Sequence, residues 1–163
     1  MVLPVRRGHD CYTGTMSLPA PPPASSPAVR SVMQGNRASD TRPEVALRSE
    51  LHRRGLRFRK HHSPVAGLRC RGDVVFPRER VVVFCDGCFW HRCPEHGNDP
   101  RINSPYWLAK LARNVARDRR NDAELAAAGW AVVRVWEHED PSVAAETVAE
   151  LVSARRSYAA SAS

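Results

Sequence analysis

The run Val81-Val82-Val83-Phe84-Cys85 constrains this chain most. Unbroken apolar residues over a strand's length predict a β-strand buried on both faces of a sheet. Asp86-Gly87 ends the run, and a loop rich in cysteine and histidine follows to about Asn103. The strand needs neighbours. Asp73 to Phe76 reads as one, joined to it through a turn at Pro77-Arg78-Glu79-Arg80, and Trp130 to Trp136 reads as another buried strand. Leu56 to Lys60 is expected as a short strand, and residues 61 to 71 as loop.

Helices fill the intervals. Thr41-Arg42-Pro43-Glu44 fits a capping box with proline in the first turn. Leu47 and Leu51 then share one face, and Gly55 stops the helix. Ser104-Pro105 caps a long helix that ends at Gly129, and Asp140-Pro141 opens a last one carrying Val143, Val148, Leu151 and Val152. Strands alternating with helices imply an α/β sandwich around a mixed sheet. The folded domain is expected over residues 30–157. A disordered leader rich in proline, serine and alanine covers 1–29, and a flexible tail 158–163.

Charge narrows the partner. The chain carries 25 Lys+Arg against 17 Asp+Glu, a net +8 over 163 residues. Only Lys60 and Lys110 are lysines. Such an arginine excess points to a polyanion, nucleic acid first. No apolar run approaches the roughly 18 residues of a membrane span. Arg6 and Arg7 precede no continuous apolar segment, so no secretory signal is expected. Of the five cysteines, Cys85, Cys88 and Cys93 lie within nine residues, beside His91 and His96, while Cys11 and Cys70 stand apart. This clustering reads as a metal site in a reducing compartment rather than a disulfide framework.

Four constellations carry chemistry. Cys88-x4-Cys93-x2-His96 offers three ligands for tetrahedral zinc. Cys85 completes a local set, or His138 does, from just past the end of the Trp130–Trp136 strand. Asp73, at the start of a buried strand among Arg69, Arg71, Arg78 and Arg80, is placed to hold Mg2+ against a phosphodiester, unless it is a strand-entry turn residue. Asp86 reads as an Asp-Gly turn. Leu108, Leu111, Val115, Asp118, Asp122 and Leu125 follow spacings of 3 and 4 on one helical face. Asp118 and Asp122 therefore need partners, either a neighbouring arginine or, for Asp118, a histidine that it orients. Phe89-Trp90, with Tyr106 and Trp107, either packs the loop or forms a wedge for base steps. His91 is open as zinc ligand, base or neither.

In this order the landmarks resemble the very short patch repair endonucleases of bacteria. They are Ser31-x-Met33, Thr41-x-Pro43-Glu44, Gly72-Asp73-Val74-Val75-Phe76 and Val83-Phe84-Cys85-Asp86-Gly87-Cys88-Phe89-Trp90-His91. Cys93-Pro94-Glu95-His96, Tyr106-Trp107-Leu108-Ala109-Lys110, Asn114-x-x-Arg117-Asp118 and Val135-Trp136-Glu137 continue them. The resemblance implies a restriction-endonuclease-like α/β/α sandwich with a structural zinc site. It also implies Mg2+-dependent nicking of double-stranded DNA 5′ to the thymine of a T:G mismatch left by 5-methylcytosine deamination.

Carried over by the resemblance, Asp73 and the Cys85 backbone carbonyl match the Mg2+ positions, with one metal or two. His91 matches the catalytic base, Asp118 its supporting acid, and Glu44 a glutamate near metal-bound waters. Phe89, Trp90 and Trp107 match the mismatch wedge. Cys88, Cys93, His96 and His138 match the zinc positions. Gly72 replaces a proline of some members, a change expected to be harmless, and Asp86 stands where some carry a second histidine. The lysine usual in restriction-type motifs is missing. The family also implies a monomer in the bacterial cytoplasm, associated with the nucleoid, with mismatch-repair proteins and a repair polymerase as partners. A related nickase or restriction enzyme, and a non-catalytic zinc-stabilised DNA-binding protein, are the rival expectations.

Overall fold

A computed structural model describes residues 39–161 continuously, with 20, 22–24, 26–28, 30 and 31 before them. Apart from those few positions, the leader expected over 1–29 lies outside the described residues, as does the Met33 landmark. The elements are α1 (Arg42–Arg53), β1 (Arg59–His62), β2 (Gly72–Phe76), β3 (Val81–Asp86), α2 (Ser104–Ala127), β4 (Ala131–Trp136) and α3 (Pro141–Ser161). No helix among the described residues is long and apolar enough to cross a membrane.

The strands form one sheet in the order β1-β2-β3-β4. The first two pairings are antiparallel and β3–β4 is parallel, so the sheet is mixed as expected. A parallel pair needs a crossover, and α2 supplies it. Alternation along the strands divides the core. Val74, Phe76, Val81, Val83 and Val135 face α1 and α3, where Leu47, Leu51, Ala144, Ala145, Val148 and Val152 close over them. Val75 and Val82 face the other way, with Leu125 of α2 and Cys70. The result is three layers, with β2 and β3 buried on both sides.

Local chemistry explains where the elements end. Gly55 and Gly129 stand just past α1 and α2 at φ +74° and +80°. This left-handed conformation closes a helix C-terminus, and glycine adopts it without a Cβ penalty. Asp140 caps α3, its Oδ1 accepting the N–H groups of Ser142 at 2.8 Å and Val143 at 3.1 Å. The Thr41 box is not reciprocal. Thr41 donates its hydroxyl to Glu44 Oε1 at 2.9 Å, while Glu44 Oε2 accepts the Asp40 N–H, also at 2.9 Å.

Four expectations are corrected. The first strand begins at Arg59 instead of Leu56, because the Leu56 N–H bonds to Leu51 O at 3.0 Å and its buried side chain belongs to the close of α1. His61 and His62 are therefore in a strand, not a loop. Val143 and Leu108 lie outside the buried stripes, exposed by 62% and 37%. The stripe of α2 takes hold only at Leu111. α3 also continues to Ser161, into the segment expected as a tail.

Gly72 is tightly enclosed. A Cβ there would meet Val82 Cγ2 at 2.3 Å and Val75 Cγ2 at 2.8 Å, both short, fully buried side chains. Gly72→Ala is expected to lower stability by about 1–3 kcal/mol through overpacking. Urea melts of the two chains check this, and a loss under about 0.5 kcal/mol would contradict it.

Candidate active site and metal centre

The strand ends β2-start, β3-end and β4-end meet at one edge of the sheet, because β2 runs antiparallel to β3 and β3 parallel to β4. A cleft of about 900 Å³ opens there, lined among others by Glu44, Asp73, Cys85, Asp86, His91 and Asp118. The topology thus gathers residues as far apart as Asp40 and Glu137 into one site, although no short motif holds them all.

Asp73 sits on the floor. Its Oδ2 accepts the Cys85 N–H at 2.7 Å, and its Oδ1 lies 3.9 Å from His61 Nδ1. Burial pushes its pKa up to about 6, against the Cys85 hydrogen bond, with the charge of Glu44 adding to the rise. Burial, and then the charge of Asp73, also raises the Cys85 thiol, whose side chain packs on the core. Cys85 therefore carries a thiol, not a thiolate, and its backbone N–H is given to Asp73.

His91 and Asp118 come together from the loop and from α2. His91 Nδ1 lies 2.7 Å from Asp118 Oδ2 and 3.6 Å from Asp86 Oδ1. Burial alone would raise the Asp118 pKa. The hydrogen bond and charge of His91, with Arg134 and Arg117, outweigh it and hold the carboxyl below its ordinary value. A carboxylate at Nδ1 favours a proton on that nitrogen, so Nε2 is the ring nitrogen left to exchange protons. Of the two partners weighed for Asp118, both are present, since Arg117 Nη2 approaches Oδ1 at 3.1 Å.

Arg134 was not singled out from sequence, yet it organises this wall. From β4 it donates to both oxygens of Asp122 at 2.9 Å and to Asp86 Oδ2 at 2.6 Å. Asp86 is the last residue of β3, 3% exposed, so it is an ion-pair residue and not simply a turn. The available signal was a lone charge within Trp130-Ala131-Val132-Val133-Arg134-Val135-Trp136, a run otherwise without polar residues. Glu44, which the resemblance singled out, stands in a second cluster with Asp40, His61 and Arg48, which the sequence reading missed. Arg48 reaches Asp40 Oδ1 at 2.5 Å and Glu44 Oε2 at 3.3 Å.

The Cys/His loop folds back on the end of β4. Cys88, Cys93, His96 and His138 bring one ligand atom each within 4.8 Å of one another, a set that can hold a metal ion. His138 Nδ1 is 3.1 Å from Cys88 Sγ and 3.8 Å from Cys93 Sγ, whereas Cys85 is not in the group. Glu137 Oε1 accepts the Cys88 N–H at 2.7 Å and anchors the start of the loop. Burial first, then Cys93, pushes the Cys88 thiol up to about 11. A bound cation would reverse that cost by favouring thiolate.

Phe89, Trp90 and Trp107 form an edge-on cluster with ring centroids 5.2–6.1 Å apart, extended by Tyr106. Lys110 Nζ lies 5.1 Å from the Trp107 centroid and 5.4 Å from that of Trp90. All three rings of the cluster are partly exposed.

With this geometry in place, comparison with known proteins is informative. The sequence model of the family described as DNA mismatch endonuclease Vsr matches residues 25–95. The type II nicking enzyme V.XorIIP of Xanthomonas oryzae pv. oryzae is 46% identical over 112 residues, 68% of this chain and 79% of that protein. This chain belongs to the Vsr family. The type II nicking enzyme V.NaeI of Lentzea aerocolonigenes is 52% identical over 110 residues, which span 66% of each protein. The DNA mismatch endonuclease Vsr of Escherichia coli is 40% identical over 101 residues, 60% of this chain and 62% of that one. As a Vsr-family member the chain is a DNA endonuclease, a hydrolase of phosphodiester bonds. Its mixed sheet and three helices fit the α/β restriction-endonuclease-like fold.

Proposed function

We propose that this Vsr-family chain nicks double-stranded DNA 5′ to the thymine of a T:G mismatch and so starts very short patch repair. One observation carries the reading: the His91–Asp118 pair, at 2.7 Å, opens onto the same cleft as the half-buried carboxylate of Asp73. A base oriented by an acid, beside a ligand for a hard cation, is the equipment of phosphodiester hydrolysis.

Asp73 and the Cys85 carbonyl would hold Mg2+. The donor set fits, since both are hard oxygens and no Arg or Lys among the described residues pairs with Asp73. When bound, Mg2+ polarises a phosphoryl oxygen and lowers the pKa of a bound water. The protein's own part is proton handling. His91 Nε2 takes the proton of the attacking water, and Asp118 stabilises the imidazolium that forms at Nδ1. Glu44, held by Thr41 and the Asp40 N–H, orients water at the cleft wall.

Cys88, Cys93, His96 and His138 hold a structural zinc. Two sulfur and two nitrogen donors suit that ion, and all four positions come from protein, leaving none open to substrate. Purified protein is expected to contain about one zinc per chain, and stripping it with a strong chelator should unfold the loop and lower the melting temperature. A zinc content near zero in folded protein would contradict the assignment. Phe89, Trp90 and Trp107 wedge between base pairs, where unstacking costs less at a mismatch than in paired DNA. The protein acts as a monomer in the bacterial cytoplasm at the nucleoid, and mismatch-repair proteins and a repair polymerase take up its product. A nicking enzyme with another target context is the second reading, favoured by the names of relatives such as V.NaeI.

His91→Ala tests the proposal. Nicking is expected to fall by about 10²–10⁴, while affinity for a T:G duplex stays within about threefold. Retention of the wild-type rate would remove His91 from the mechanism.

A further inference from the structure

The positive charge of the chain is unevenly placed. Six carboxylates and five arginines line the strand-end cleft, so a phosphodiester entering it meets no net cationic wall. A second groove, of about 690 Å³, lies at the opposite edge of the sheet, where β1 begins, β2 ends and the turn to β3 crosses. Arg57, Arg59, Arg78, Arg155 and Arg156 line it, with Glu79 as its one carboxylate. Glu79, whose side chain is 8% exposed, accepts the Nε–H of Arg156 at 2.6 Å. None of the other four arginines has a carboxylate partner among the described residues. Arg155 donates to Gly129 O at 3.2 Å, Arg59 approaches His62 Nε2 at 3.2 Å, and the side chains of Arg57 and Arg78 make no hydrogen bond there.

Guanidiniums gathered around a single carboxylate repel one another, and a polyanion that joins them relieves the repulsion. The edge strand shows where that polyanion comes from. β1 runs from the groove to the cleft. Arg59 stands in the groove, Lys60 follows with its side chain 62% exposed and Asp40 at 3.7 Å, and His61 lies 3.9 Å from Asp73 on the cleft floor. Charge on an edge strand also discourages strand addition, but Arg57, Arg78, Arg155 and Arg156 lie outside β1. Strands of this length put the groove about 17 Å from the cleft floor, the rise of about five base pairs. DNA seated in the cleft and laid along β1 therefore brings backbone phosphates to the groove, and guanidinium forks suit phosphate.

We propose that the arginine groove is a second contact for duplex DNA, holding backbone phosphates about five base pairs from the scissile one without reading sequence. The inference needs neither the mismatch nor the catalytic metal, so its test uses a fully paired duplex of about 30 base pairs and no Mg2+. Affinity for the zinc-loaded full chain is measured by fluorescence anisotropy between about 50 and 200 mM salt. The double variant Arg57→Gln/Arg78→Gln is expected to bind more weakly at low salt and to flatten the salt slope by about 2, since each lost phosphate contact removes about 0.9. The advantage of the wild-type chain should thus shrink about tenfold across that range. A slope within about 0.5 of wild type would overturn the inference, and a groove that receives an acidic protein instead would give that result. Should the double variant fail to fold by circular dichroism, Glu79→Gln decides, because it frees Arg156 for phosphate. Tighter duplex binding, with a slope steeper by up to about 1, is expected. Unchanged or weaker binding by folded Glu79→Gln would overturn the assignment.

Discussion

Asp73→Asn is expected to abolish nicking and yet leave the protein as stable as before, or more stable. The carboxyl is raised from 3.8 to about 6, chiefly by burial. The native state therefore binds this proton more tightly than the unfolded chain does. Its ionisation costs stability progressively as pH rises from about 4 to about 6, and the cost, at most about 3 kcal/mol, persists above that window. Asparagine has no proton to lose and can still accept the Cys85 N–H. Thermal melts of zinc-loaded protein without Mg2+ should place the variant several degrees above wild type at pH 8, with the difference vanishing at pH 4. Nicking should fall about 10³-fold or more, since a cation at a phosphodiester is worth several kcal/mol of barrier. In the wild-type chain nicking should also decline below about pH 6, as the proton competes with the cation for Asp73. A variant that melts lower than wild type at pH 8, or nicks at a comparable rate, would contradict this account.

The largest loss of stability is expected at Arg134. Its fork spans Asp122 and Asp86, and Asp86 is almost fully buried. Arg134→Met removes the cation and strands a buried carboxylate, which costs about 3–5 kcal/mol. That is a large part of what a domain of this size has. Arg134→Lys should recover only some of it, because an ammonium cannot make the paired contacts of a planar guanidinium. Denaturant melts give the comparison. A loss below about 1 kcal/mol for Arg134→Met would show that Asp86 finds another partner or takes up a proton.

What could be read in the sequence followed from local physics. The apolar run at Val81–Cys85, the glycines after two helices and the Asp-Pro start of α3 each fix an element without help from elsewhere. Asp118 was legible because a carboxylate on an apolar stripe must have a partner, and the stripe argument named a histidine as one choice. His138 was reachable only through topology. Parallel β3 and β4 end at one edge, which brings it 3.1 Å from Cys88 across 50 residues. The Asp40–Glu44–Arg48–His61 cluster stayed hidden for two reasons. By its pattern Leu56 reads as a strand residue although it closes α1, which shifts the expected β1 and places His61 past its end. His61 also has φ +48°, a left-handed conformation that no local propensity of Lys60-His61-His62 foretells. Arg134 needed the opposite inference, that a charge inside a buried strand has its partners in α2 and at the end of β3.

The most direct test is a nicking assay with Mg2+, using end-labelled duplexes identical except for one T:G mismatch or its T:A control, each in varied flanking sequences. A single nick 5′ to the mismatched thymine, absent from the paired control and from Asp73→Asn, is the predicted result. Equal cutting of both duplexes, or no cutting in any context by folded, zinc-loaded protein, would contradict it.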